Sequence, residues 1–199
     1  TMVGEPVGQF YGYKVIGMFK EESDFYKKDA DGNFQLDEAG NRIRIAIPKG
    51  QQISKNGIWV GDYIYEDLHE DGVIDEKDRT FLGNPAPKFT FGFNNYFAYK
   101  GFDLNIFLNG SVGNKAVNLI RRTFTDPMRN SNLLKEATDI ALIGMHDPEV
   151  GDEELSNVYI VNADRAKVQR VTTSSANDNN RISSRFIEDA SYLRIKNIS

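Results

Sequence analysis

The sequence predicts a mainly β protein of antiparallel strands joined by long loops, with one short helix. Residues 88–99 alternate strictly. Phe89, Phe91, Phe93, Asn95, Phe97 and Tyr99 take one side; Thr90, Gly92, Asn94, Tyr96 and Ala98 take the other. That is the period of a pleated strand. Lys100-Gly101 permits a tight reversal, after which Phe102, Leu104, Ile106 and Leu108 alternate with Asp103, Asn105, Phe107 and Asn109. A third aromatic and β-branched run, Tyr192 to Ile198, repeats the strand composition.

Taken in order, Val7 to Phe19 is rich in aromatic and β-branched residues and broken by Gly8, Gly12 and Gly17, which predicts a strand or a kinked strand pair. From Lys20 the chain turns charged, with Asp31-Gly32 and Ala39-Gly40-Asn41 as reversal signals, so residues 20–87 are predicted as a long loop carrying small hairpins. Pro85 and Pro87 stop any ladder there, and the hairpin of 88–112 starts after them. A second long loop is expected over 113–183. Within it, Leu133, Leu134, Ala137, Ile140 and Ala141 approach helical spacing and predict a short helix over 131–144. Thr172 to Asn180 (TTSSANDNN) reads as a mobile loop tip. Residues 184–199 open a further strand that is still running at the last residue, the pattern of a piece cut from a longer wall.

Composition narrows the function. The 24 basic and 29 acidic residues give a net charge of −5, which offers no positive field for a phosphate backbone, so nucleic acid is not an expected partner. Without cysteine there is neither a disulfide framework nor a thiolate metal site. No apolar run approaches the roughly 18 residues of a membrane-spanning helix. The mean hydropathy of −0.49 does not exclude a β-barrel, whose strands are apolar only at alternate positions. Each arm of the hairpin has about the 9–11 residues that cross a bilayer obliquely, with one face mostly apolar and the other mostly small or polar. The same alternation fits an amphipathic hairpin in a soluble β-sandwich.

Three groups of residues carry a family resemblance. The opening Val3-Gly4-Glu5-Pro6 is followed by Phe10-Tyr11-Gly12-Tyr13 and Gly17-Met18-Phe19. The central stretch runs Gly61-Asp62, Asp67, Asp71-Gly72-Val73-Ile74-Asp75, Asp78-Arg79-Thr80, Gly83-Asn84-Pro85, Pro87-Lys88-Phe89-Thr90, Gly92-Phe93-Asn94-Asn95 and Tyr99-Lys100-Gly101-Phe102-Asp103-Leu104. The ending carries Ser184-Arg185-Phe186, Glu188-Asp189 and Ser191-Tyr192-Leu193-Arg194-Ile195-Lys196-Asn197-Ile198. In this order they resemble the C-terminal region of SusC/RagA-family, TonB-dependent outer-membrane transporters of Bacteroidetes. The Trp-Thr-Pro group that the family often carries after a short helix is missing between Thr123 and Asn180.

The resemblance implies a fragment of a transmembrane β-barrel, of roughly four to six strands with long extracellular loops, in the outer membrane of a Gram-negative cell. It implies import of glycans or other large nutrients. The implied partners are a SusD-like surface lipoprotein, an oligosaccharide or peptide ligand, membrane lipid, and TonB through an N-terminal part of the parent that this chain lacks. No cofactor and no covalent chemistry are required. Apart from the resemblance, the residues also fit an autonomous soluble β-rich module that binds calcium or carbohydrate.

Two sites are expected. Asp67 to Asp78 has the spacing of a calcium loop. Asp67, Asp71 and Asp78 stand at its first, fifth and twelfth positions, Val73 offers a carbonyl, Gly72 permits the sharp turn, and His69 and Asp75 complete the set. His69 in place of Asp or Asn, and the short Asp78 in place of Glu, weaken the pattern; a solvated hairpin turn fits the same residues. Asp29, Asp31 and Asn33 repeat the theme. Trp59, Tyr63 and Tyr65 offer flat faces on which sugar rings could stack, though packing in a local core is the favoured reading. For catalysis, His69 and His146 lie in no nucleophile or zinc motif, and Glu21-Glu22 and Glu153-Glu154 are sequence neighbours rather than an opposed pair, so no enzyme is expected.

Overall fold

The computed structural model describes residues 7–199; the Val3-Gly4-Glu5-Pro6 motif lies outside the described residues. The chain divides into two compact units. Among the described residues, one gathers 7–11 with Phe81–Asn118 and Phe186–Ser199, and the other gathers Gly12–Thr80 with Leu119–Arg185.

The first unit is built on a three-stranded antiparallel sheet. Its hairpin arms are Phe89–Tyr99 and Phe102–Val112, and Tyr192–Ile198 pairs with the second arm. Register runs without interruption from Phe89 opposite Val112 to Tyr99 opposite Phe102. The two-residue turn has positive φ at both Lys100 (48°) and Gly101 (87°), the backbone of a type I′ turn, whose twist matches that of the flanking strands. A bulge between Ile195 and Asn197 shifts the third strand by one residue. Lys115–Val117 and Ile187–Asp189 form a short antiparallel pair, closed by a 3.0 Å Lys115–Asp189 ion pair. The expected wall of four to six strands is corrected here: among the described residues two strands, of 11 residues each, are long enough to cross a bilayer, the seven-residue Tyr192–Ile198 pairs beside them, and the three do not close into a barrel.

The second unit has the hydrophobic core. Phe19 stacks on Phe25 with ring centroids 4.0 Å apart, and Ile58, Trp59, Val60, Val158 and Ile160 close around them. Its strands are short: Val15–Met18 pairs with Tyr63–Tyr65, Ile143–Met145 with Val158–Ile160, and Ile47–Pro48 runs parallel to Val73–Ile74. The stretch read as one loop over 20–87 thus joins most of 113–183 in a single packed body rather than forming a separate excursion. The small hairpins expected within it are present as consecutive antiparallel bridges, Lys28 with Phe34 and Leu36 with Arg42. Each tip is an Asx turn. Asp29 Oδ1 accepts from the backbone N–H groups of Asp31 and Asn33, and Asp37 Oδ1 from those of Ala39 and Asn41.

Two expectations fail in this unit. The short helix lies at Leu119–Phe124 instead of 131–144, where a 3-10 turn over Lys135–Asp139 leads into the strand Ile143–Met145. The β-branched Ile140 and Ile143 favour extended backbone once a partner strand is available, and Val158–Ile160 supplies it. Thr172 to Asn180 is not a free tip: Asn177 and Asn179 are buried and hydrogen-bonded within the core.

Candidate functional site

In an antiparallel sheet directly opposed residues share a face, so the register sorts the first unit's side chains. On one face stand Phe89, Phe91, Phe93, Phe97 and Tyr99, opposite Val112, Gly110, Leu108, Leu104 and Phe102; Leu193 and Ile195 extend the same rows. Asn95 opposite Ile106 is the polar exception. The other face carries Thr90, Asn94, Tyr96, Asn105, Asn109, Ser111 and Arg194, with Phe107 and Tyr192 among them. The apolar face is uncovered within this chain, with Phe93 54%, Phe97 56% and Ile195 62% exposed. Phe91 lies across Gly110 so closely that a Cβ there would come within 2.5 Å of its ring. An 11-residue arm is about 37 Å long and, tilted by about 45°, spans about 26 Å, the height of an outer-membrane barrel's apolar band.

The three aromatic residues expected to stack on sugars are buried instead: Trp59 and Tyr65 are 2% exposed and Tyr63 4%. The stacking role is corrected on that ground, because no ring face is open to a ligand. Their polar atoms are tied inward. Tyr63 Oη donates to the Lys167 carbonyl and accepts from Gln169 N–H, and Tyr65 Oη donates to the Asp178 carbonyl. Burial pushes both phenols far above their ordinary pKa. The rings also support cations, with the Arg185 guanidinium 4.8 Å from the Tyr63 centroid and that of Arg181 4.7 Å from the Tyr65 centroid.

Beside them is a buried polar centre that no local motif announces. Asp62 Oδ1 accepts from Arg170 Nε (3.0 Å) and Asn179 Nδ2 (2.8 Å); Oδ2 accepts from Trp59 N–H (2.9 Å) and Arg170 Nη2 (3.2 Å). Arg170 donates further to the carbonyls of Lys55 and Gly57. Asn177 Nδ2 donates to the Tyr63 carbonyl, and Tyr63 N–H to Asn179 Oδ1. The segment read as a mobile tip therefore closes the core.

The expected calcium loop is turned toward its own backbone. Asp67 Oδ2 accepts from Gly72 N–H, Asp71 Oδ1 from Val73 N–H and Asp75 Oδ1 from Lys77 N–H. Asp78, 1% exposed, accepts from the N–H groups of Leu68 and Asp75 through its two oxygens. His69 Nδ1 stands 3.6 Å from Asp78. Asp67, His69, Asp71, Val73, Asp75 and Asp78 thus form a capped turn, and among the described residues no group of three or more His, Asp or Glu is placed to hold a metal ion. Asp29 and Asp37 are likewise occupied at their turns, where the backbone N–H groups of Asn33 and Asn41 hold their carboxyls below the usual pKa. His146 stacks on Tyr159 with ring centroids 4.6 Å apart.

The second unit also holds an open cleft of about 430 Å³. Lys20, Arg121, Lys167 and Arg185 line it with Ser184, over an apolar base that includes Val15 and Met18. Arg121 is engaged by Glu136 through a two-pronged ion pair, Nε to Oε2 at 2.8 Å and Nη2 to Oε1 at 2.5 Å. These four cations come from distant parts of the sequence, so no spacing rule could have grouped them.

No protein-family model matches the chain. Among curated proteins, three TonB-dependent receptors of Formosa agariphila are similar to it: one is 29% identical over 196 residues covering 98% of this chain, a second 29% identical over 198 residues covering 99%, and a third 24% identical over 206 residues covering 98%. Over nearly its whole length the chain is similar to a segment of these TonB-dependent receptors. It spans 15%, 16% and 18% of the lengths of those relatives. Its mainly antiparallel β structure agrees with such a receptor.

Proposed function

We propose that this chain is part of the barrel of an outer-membrane, TonB-driven importer of the SusC/RagA kind. In that reading the three paired strands are barrel wall, with the Phe93 face against lipid and the Asn94 face toward the lumen. The long segments between them are extracellular and receive an oligosaccharide or other large nutrient from a SusD-like surface lipoprotein. TonB supplies energy through another part of the parent receptor.

The observation that supports this reading is the pairing register. It collects most large apolar side chains of three strands on one uncovered face and most polar ones on the other. An autonomous soluble module would bury that face in a core, since contiguous exposed patches of this kind are rare on soluble monomers.

The reading is tested by paired substitutions in lipid vesicles. Phe93→Arg should destabilise the inserted fold by about 2–4 kcal/mol, and Asn94→Arg by less than about 1 kcal/mol, read as shifts in urea midpoint. Equal effects, or a β-rich monomer that stays soluble without detergent or lipid, would overturn it.

A further inference from the structure

We infer that the cleft lined by Lys20, Arg121, Lys167 and Arg185 is a binding site for an oxyanion carried by the nutrient, with a sugar carboxylate as the simplest case; this rests on the importer reading above. The first argument is the sign of its charge. The whole chain carries −5, yet four cations line this cavity, and the one carboxylate that meets them, Glu136, is taken up by Arg121, which leaves the lining net positive. A local reversal of sign in a cleft focuses field lines and raises the concentration of anions there.

The second argument is what the cations are doing. Arg121 is held in place by Glu136. Arg185 donates to Gln169 and Thr125 and lies over the Tyr63 ring, so its planar fork is fixed before any ligand arrives. Burial holds the Arg185 pKa below its ordinary value, so a bound anion would offset part of its desolvation. Lys20 and Lys167 differ: among the described residues neither ammonium has an ion pair or a hydrogen bond, and both side chains are exposed at the cleft. Two fixed guanidinium groups and two exposed ammonium groups, of which Lys167 also feels the Glu136 carboxylate, make a preorganised floor with an accessible rim.

The remaining lining suits a hydroxylated ligand. Ser184 Oγ accepts from Val15 N–H, which leaves its own hydroxyl proton to donate. Val15 and Met18 give an apolar base, and the volume falls in the range of small-ligand sites.

The test is calorimetric titration of the chain in detergent micelles, with trigalacturonate and maltotriose as probes. Trigalacturonate should bind. Its affinity should fall by about tenfold in the Lys20→Gln/Lys167→Gln double variant, and should fall again as NaCl rises from about 0.05 to about 0.5 M. Circular dichroism should show both proteins equally folded. Maltotriose should show neither dependence. Absence of trigalacturonate binding, an unchanged affinity in the double variant, or binding of inorganic sulfate alone as tight as that of trigalacturonate would overturn the inference. Maltotriose binding in the first two cases would leave the importer reading standing, whereas failure of the Phe93 and Asn94 comparison removes that reading independently.

Discussion

Asp62→Asn removes one charge from the buried centre and keeps its volume. In the native protein Asp62 is 1% exposed and Arg170 5%, and the carboxylate accepts four hydrogen bonds, two of them from the guanidinium. The amide replaces one acceptor oxygen with an NH2 group, so two of those four donors meet another donor. The guanidinium keeps the carbonyls of Lys55 and Gly57 but loses its counter-charge. Removing one partner of a buried pair costs about 3–5 kcal/mol, and the retained carbonyls place this case near the lower end. With a urea slope of about 2 kcal/mol/M, the midpoint should fall by about 1.5 M. Trp59 is the only tryptophan, is 2% exposed, and donates its backbone N–H to Asp62, so its emission reports on this centre directly. A urea titration followed by Trp59 fluorescence reads the shift. The double variant Asp62→Leu/Arg170→Met should recover most of the loss, because an apolar pair leaves no orphaned charge. A single variant whose midpoint moves by less than about 0.3 M would refute the assignment of Asp62 as the counter-charge that holds this core.

Two further outcomes follow from local geometry. Lys100 adopts φ of 48° in the hairpin turn, so Lys100→Asn, better suited to that backbone, should raise stability by about 0.5–1 kcal/mol in a detergent urea titration; a loss would contradict the turn assignment. Arg121 holds the Glu136 carboxyl below its usual value of 4.5, so this pair stabilises the fold fully above that pH and less as pH falls through the depressed value. The urea midpoint should therefore be flat from about pH 7 to about pH 5 and decline below, and Glu136→Gln should remove part of that decline.

The hairpin was legible in the sequence because its signal is local: period-two alternation fixes the faces, and Lys100-Gly101 fixes the turn. The Asx tips at Gly32 and Gly40 were legible for the same reason. The second unit was not. Its contacts join residues more than a hundred positions apart, and TTSSANDNN has the composition of a free loop, although Asn177 and Asn179 supply the amides that the Tyr63 backbone and Asp62 require. Trp59, Tyr63 and Tyr65 suited either a platform or a core, and only burial decides between them. The acidic stretch from Asp67 to Asp78 carried a metal-like spacing because the same carboxylates that could ligate calcium can also cap backbone amides in a tight turn. The basic cleft had no sequence signal at all, since Lys20, Arg121, Lys167 and Arg185 become neighbours only after folding.

The span of the Asp62 centre bears on how the protein is made. Asp62 and Arg170 are 108 positions apart, and Asn179 is 117 positions from Asp62. At a synthesis rate of about 5–20 residues per second, Asp62 is made about 5–20 s before its counter-charge exists. During that interval the aspartate remains hydrated, and Phe19, Phe25 and Trp59 have no lid. The second unit therefore cannot close its core until the segment from Arg170 to Asn179 is present, and a chain cut before Arg170 would leave Asp62 without its counter-charge beside an open aromatic core.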